Sequence, residues 1–367
     1  MRIARRIRLD LPALLMVGLT ATAASGQTPE RPETNVRESV GVSLVEVPVS
    51  VVDASGRSVA GLTREDFEVL DDGKPVAIES LDESLFPAAG EPPSVDPKTR
   101  PHAPRTLLFV YDLAGITNAE LDRANGAGRR FVNTQMGPAD VAGVATIGPS
   151  GDVRLVQNLA RDRERLAAAF DSVKPVLDRG RNVVGVSPSA DNGGREKYSA
   201  QELDELARPG RAQQAAWVER LLDALKTVAQ ALQPVPGRKQ LILFSHGFNM
   251  MLDDTRLAND VRKVVDELRM QDCVVNIVNV AGLSASAADS QALFVLANDT
   301  GGHLMENSND LSGQVGRILE ANRVVYELTF RTTLTGHPGR FHSIEVRTRA
   351  KGTKVFARAG YLEPKPS

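Results

Sequence analysis

The chain of 367 residues contains one cysteine, Cys273. An intrachain disulfide needs two and a multi-cysteine metal site needs more, so both are excluded. Aromatic residues make up only 4%, with a single tryptophan, too few for a nucleic-acid platform of stacked rings. Neither sign of charge dominates: 44 Lys and Arg stand against 46 Asp and Glu, a net charge of −2. That balance leaves no basic footprint for nucleic acid. No segment reaches the roughly 18 apolar residues of a membrane-spanning helix. No P-loop or dinucleotide glycine pattern follows an apolar run. What is present is 42% hydrophobic and 25% charged residues, a composition able to bury a core. The length suits two or three domains at about 100–200 residues each.

Residues 1–26 read as an address. A basic start with Arg2, Arg5, Arg6 and Arg8 precedes the apolar run Leu11–Val17, and small residues follow up to Ala24 and Gly26. These are the three parts of a secretory signal peptide. Arg5-Arg6 leaves the export route open between the general and the twin-arginine systems. The expectation is an exported protein, periplasmic or extracellular, with no stable membrane span after cleavage. Without disulfides, its stability has to come from packing.

Two hydrophobic periods divide the rest. In residues 40–83, Val45, Val47, Val49 and Val51 alternate with Glu46, Pro48 and Ser50, which marks a strand buried on one face. Pro48, having no N–H, belongs at an edge or bulge. Phe67–Leu70 and Val76–Ile78, separated by Asp71-Asp-Gly73, form an expected hairpin. Residues 84–105 carry prolines 87, 92, 93, 97, 101 and 104 and read as an extended linker. From 323 to 363 the period of two returns, with Tyr326, Leu328 and Phe330, then Ile344 and Val346. Each flank holds about three strands, too few to close a core alone. The economical arrangement pairs both flanks into one β-sandwich, with two separate small sheets as the alternative.

Between the flanks, residues 106–322 alternate continuous apolar runs with helical patterns. The runs are Leu107–Tyr111, Val141–Ala145, Leu241–Phe244 and Val274–Val280. Continuous runs predict strands covered on both faces, hence a mostly parallel, doubly wound α/β sheet inserted between the β segments. Trp217, Leu221, Leu225, Val228 and Leu232 share one helical stripe, as do Leu166, Phe170 and Val173, and Val261, Val264, Val265 and Leu268. On such a stripe Trp217 reads as core rather than a ligand-stacking residue. Asp152–Gln157 follows its predecessor closely enough to be an antiparallel edge strand. Residues 177–210, rich in Gly, Pro, Ser and charge, read as a surface loop insertion.

Ligands of open α/β sheets bind beyond the C-terminal strand ends. Here those ends carry Asp112, Gly148, Ser245-His246 and Asn279. The strand ending in Asp112, the run Gly237–Gly247 and the segment Ala297–Met305 resemble the first strand, fourth strand and late helix–turn–strand of a von Willebrand factor type A domain. Val49–Gly56, Gly61–Phe67, Asp71–Pro75, Gly339–Phe341 and Arg358–Tyr361 resemble the flanks of the bacterial family of such proteins frequent in acidobacterial genomes. The resemblance implies a von Willebrand factor A-like, Rossmann-like fold. It also implies a crest that in many relatives binds a divalent cation through a D-x-S-x-S motif, a later Thr and a later Asp. This chain departs from that motif. Ala114 and Ile116 stand at the serine positions and His246 at the late Asp. Mg²⁺ requires hard oxygen ligands, so the site is degenerate, and no metal and no cofactor are expected there. Thr117-Asn-Ala-Glu120 is a capping box, which accounts for Thr117 as a helix start.

Asp112 and His246 are left to pair across the sheet top or to meet a ligand without a cation. Ser245-His246 does not make a hydrolase, because a nucleophile elbow needs Gly at position 243, which is Leu. His303, His337 and His342 are scattered, and Cys273 reads as a small buried hydrophobe. The expectation is a non-enzymatic, adhesion-type module contacting an extracellular or envelope protein or a surface glycan. Asp112, Thr117, Ser245 and His246 lie near the contact. The alternative is an envelope assembly protein acting through its β-sandwich, with the α/β domain inert.

Overall fold

The computed structural model describes residues 42–86, 105–175, 200–247, 255–284, 287–333 and 337–363. The expected signal peptide lies outside the described residues, as does most of the linker.

Four strands open the described chain: β1 (Val42–Val52), β2 (Phe67–Asp71), β3 (Lys74–Val76) and β4 (Ile78–Leu85). Asp72 and Gly73 both have positive φ, 49° and 76°, the conformation that lets a two-residue turn match the twist of its strands. The chain then runs through β5 (Thr106–Asp112), α1 (Asn118–Arg130), β6 (Val141–Ile147), β7 (Val153–Ala160), α2 (Arg163–Ser172) and α3 (Ala200–Ala231). It continues with β8 (Lys239–Ser245), α4 (Thr255–Met270), β9 (Cys273–Asn279), α5 (Ala287–Thr300), β10 (Leu304–Met305) and α6 (Leu311–Ala321). It ends in β11 (Val324–Thr333), β12 (Phe341–Thr348), β13 (Lys354–Ala357) and β14 (Gly360–Leu362).

The middle strands form a six-stranded sheet of order β10-β9-β8-β5-β6-β7. All its pairs are parallel except β6–β7. Every residue of β5, β8 and β9 is buried, because helices cover both faces. One face packs Leu221, Leu225 and Val228 of α3 and Val261, Val264 and Leu268 of α4. The other packs Leu121 of α1, Leu166 and Phe170 of α2 and Val315 of α6 around Phe109. The expected doubly wound sheet, including the antiparallel edge strand, is the one observed.

The flanks pair with each other into two four-stranded sheets, β13-β1-β11-β4 and β14-β12-β2-β3. Between them lies one core of Val45, Val47, Val49, Val51, Phe67, Val69, Tyr326, Leu328, Phe330, Ile344 and Tyr361. The expected sandwich is therefore built from both ends of the chain. Pro48 pairs with Glu327 of β11 on one side, and on the other it lies just before the stretch Val49–Val52 that β13 covers, a local edge of the kind proline tolerates.

Three boundaries are corrected. Ser84 and Leu85, assigned to the linker, belong to β4 and pair with Val325 and Val324. The surface loop expected over 177–210 gives way at Ala200 to α3, whose backbone is helical through Pro209 and Gly210; residues 176–199 lie outside the described part. The run Gln201–Ala207 is rich in good helix formers, a signal that Pro209 and Gly210 obscured. Arg105, assigned to the linker, is 5% exposed. Its guanidinium forks onto Asp140, with Nε to Oδ1 at 3.0 Å and Nη2 to Oδ2 at 2.6 Å. Asp140 also accepts the Gly137 N–H at 2.7 Å, so both carboxylate oxygens of this buried ion pair are hydrogen-bonded, as burial of a charge demands.

Candidate functional site

Strands β5 and β8 are neighbours in the sheet, yet β5 connects onward to β6 on one side and β8 to β9 on the other. The connections leaving their C-terminal ends diverge at this switch point and leave a crest open to ligands. Asp112 ends β5, Ser245 ends β8 and Asn279 ends β9.

Asp112 is fully buried, as are Ser245 and Asn279. The Asp112 carboxylate accepts the Ser245 hydroxyl at 2.9 Å and the Ala114 N–H at 3.2 Å. Ser245 Oγ in turn accepts the Gly247 N–H at 3.2 Å. Asn279 repeats this turn-closing role, its Oδ1 taking the Ala281 N–H at 3.0 Å, while its buried Nδ2 has no partner among the described residues.

Of the two alternatives for Asp112 and His246, the structure does not form the direct pair. From the end of β8 it is Ser245 that donates to Asp112, and His246 directs Nδ1 to Glu120 Oε1 at 3.1 Å. Successive residues leaving a strand face opposite ways, so Ser245 and His246 cannot both turn toward Asp112. Glu120, read from the sequence only as the end of the capping box, is the site residue that sequence reasoning missed. Its Oε2 completes the capping box on the Thr117 N–H at 2.8 Å, and its second oxygen is left for His246. Thr117 is the N-cap, Oγ1 accepting the Glu120 N–H at 3.3 Å, and it remains exposed. Of the four candidates, Asp112 and Ser245 meet each other, while Thr117 and His246 meet through Glu120.

The solvent face of the crest has a different character. Gly115, with φ of 89°, Thr117, Asn118 and Ala119 are exposed, and Ile116 and His246 are half-buried. Leu283, just past β9, is 70% exposed. Trp217, half-buried on α3, lies so close to the Gly115 backbone that a Cβ there would stand 3.8 Å from its Cη2. The tryptophan read as core thus packs on the α3 side of the sheet and also reaches the crest rim.

The donor set does not fit Mg²⁺. The oxygens of Asp112 are engaged within the fold, Ala114 and Ile116 supply none, and the His246 nitrogen faces a carboxylate. Nor is Ser245 set up as a nucleophile, since its hydroxyl is buried and donates to Asp112 rather than to an imidazole. Cys273 is equally inert, for burial pushes its thiol up to about 12.

No family model matches this chain, and no curated protein matches it. Among solved structures, an aerotolerance-related membrane protein from Bacteroides fragilis is 12% identical, over 60% of this chain and 99% of its own, with a TM-score of 0.39. Manganese-loaded TRAP protein from Plasmodium vivax is 8% identical over 82% of this chain and 100% of its own, TM-score 0.35. Proximal thread matrix protein 1 from the mussel byssus, with a zinc-occupied MIDAS motif, is 10% identical over 60% and 48%, TM-score 0.34. Likenesses this distant carry no argument about what this chain does.

Proposed function

We propose that the chain is an exported, non-enzymatic binding protein of the acidobacterial-type von Willebrand factor A-related family. In this reading it recognises an envelope or extracellular protein, or a surface glycan, through the crest of its α/β sheet without a metal ion. One observation carries it: the crest carboxylate is fully buried and hydrogen-bonded to Ser245 and Ala114, while apolar and neutral groups face solvent around it. An exposed leucine, a half-buried tryptophan edge and a histidine with its carboxylate partner resemble the mixed apolar and polar make-up of protein-binding surfaces.

The test is capture from the native envelope with the mature chain as bait, in chelator and in Mg²⁺. The expected result is one partner retained in both conditions and lost on Leu283→Glu or His246→Ala without a change in melting temperature. Capture that requires Mg²⁺ overturns the reading. Turnover of an ester or peptide that disappears in His246→Ala would restore an enzyme.

A second reading, assembly through the β-sandwich, is favoured by a cleft of ≈ 800 Å³ beside β1. Leu44 of β1, 62% exposed, lines its sandwich side, and Met270 of α4, 59% exposed, lines the other. Partner loss on Leu44→Glu, with crest variants binding normally, selects this reading.

A further inference from the structure

The sandwich holds a separate group of metal-ligating side chains, on the β2–β3 turn and the strands beside it. Pairing of β12 with β2 and β14 sets Ile344 opposite Asp71 and His342 opposite Tyr361. Residues some 270 positions apart in sequence thereby meet at one spot: His342 Nδ1 lies 3.0 Å from Asp72 Oδ2. One ligand atom each from Asp71, Asp72 and His342 falls within 4.8 Å of the others.

We propose that Asp71, Asp72 and His342 bind a divalent transition-metal ion of the zinc class, through one imidazole nitrogen and two carboxylate oxygens, with a fourth position open to water. This goes beyond the crest function and does not depend on it.

The proton inventory is the first argument. The His342 ring faces a carboxylate at both nitrogens, Asp72 at Nδ1 and Glu363 Oε2 at 3.4 Å from Nε2. A neutral imidazole has one N–H. If Nε2 donates to Glu363, the Nδ1 lone pair confronts a carboxylate oxygen, and the gap calls for a cation. A ring nitrogen donating to a carboxylate while the other binds metal is the usual arrangement of a ligating histidine.

The orientation of the ligands is the second. The His342 side chain is 5% exposed and stacks on Tyr361 at 5.0 Å with 10° between planes, which fixes where Nδ1 points. Each aspartate has one oxygen pinned by protein donors. Asp72 Oδ1 takes the Ser343 N–H at 2.9 Å. Asp71 Oδ2 takes the Thr332 and Tyr361 hydroxyls at 2.8 and 3.0 Å. Asp72 Oδ2 faces the imidazole, and Asp71 Oδ1 has only a longer Tyr361 contact of 3.3 Å. In a tetrahedral site with bonds of about 2.0–2.1 Å, ligand atoms sit roughly 3.3 Å apart, so small side-chain movements close the site.

Charge is the third. Three carboxylates surround the imidazole, and the guanidinium of Arg340, half-exposed, approaches Asp72 Oδ2 at 3.7 Å. Asp72 is 37% exposed at the turn, so an ion has a path in. Imidazole with carboxylate suits zinc-class ions better than Mg²⁺. A bound ion would clip the first hairpin to the last strands in a chain that has no disulfide.

The experiment uses tag-free, chelator-stripped protein. Titration calorimetry with Zn²⁺ should give one ion per chain, and saturation should raise the melting temperature by several degrees. Co²⁺ should produce visible absorption bands of a nitrogen–oxygen site. Asp72→Asn, which keeps an acceptor for the Ser343 N–H, should abolish binding. Tyr361→Phe should weaken it about 10-fold, and His246→Ala at the crest should leave it unchanged. Failure to bind Zn²⁺ stoichiometrically, or binding that survives Asp72→Asn or His342→Gln, overturns the proposal.

Discussion

A Cβ added at Gly128 on α1 would stand 2.3 Å from Phe170 Cδ1, a separation that no packed interior tolerates. Phe170 is fully buried and meets the Phe109 ring edge-on at 5.1 Å, so it has nowhere to retreat. Gly128→Ala should cost about 1–3 kcal/mol, as overpacking does, read as a lower midpoint in denaturant. His303 offers a test with a sign. Burial, with Arg238 and Lys354 nearby, lowers it from 6.5 to about 4. Between those values the unfolded chain binds more protons than the folded one, so stability falls as pH drops from 6.5 toward 4. His303→Gln should flatten that slope in denaturation series at pH 7, 6 and 5. Asp112 and Ser245 were legible as residues at strand ends. Their mutual bond was not, because it joins positions 133 apart. Ser245→Ala removes one donor from a buried carboxylate and should destabilise by about 1–3 kcal/mol in the same assay.

Helices α1, α2 and α6 each begin at a side chain that accepts an N–H of the first turn: Thr117, Asp162 and Asp310. Such caps are written in three or four consecutive residues, which is why the Thr117–Glu120 box was readable before any fold was known. Thr117→Ala should lower stability by about 1 kcal/mol, measured by thermal melting. If partner capture is unaffected, the role of Thr117 is confined to the cap. Apolar stripes were equally readable, since each is fixed by spacing within one element. The start of α3 was not, because Pro209 and Gly210 are strong local breakers that a long helix packed on the sheet overrides.

At the scale of the molecule, the chain leaves the sandwich after β4 and returns at β11, and these strands are neighbours, with Leu85 opposite Val324. The Phe86 N–H bonds the Arg323 carbonyl at 2.8 Å, so the two junctions of the inserted domain touch. Closely spaced ends are what make an insertion tolerable to its host. Because β11 lies between β1 and β4, a chain ending at Asn322 should lose the sandwich entirely. Limited proteolysis should then cut within residues 42–86 while sparing β5 and β8, and equal protection of both regions would refute the shared core.

The order of apolar and polar residues determined the periods, and the periods determined strands, helices, the covered parallel sheet and the need for the two flanks to combine. Spacing is local, so one chain of letters carries it. Which side chains face each other across the crest, and which gather around His342, was decided only by sheet order and register. Those arise when distant segments pair to bury their apolar faces, and a shift of one residue in β12 would turn His342 away from Asp72.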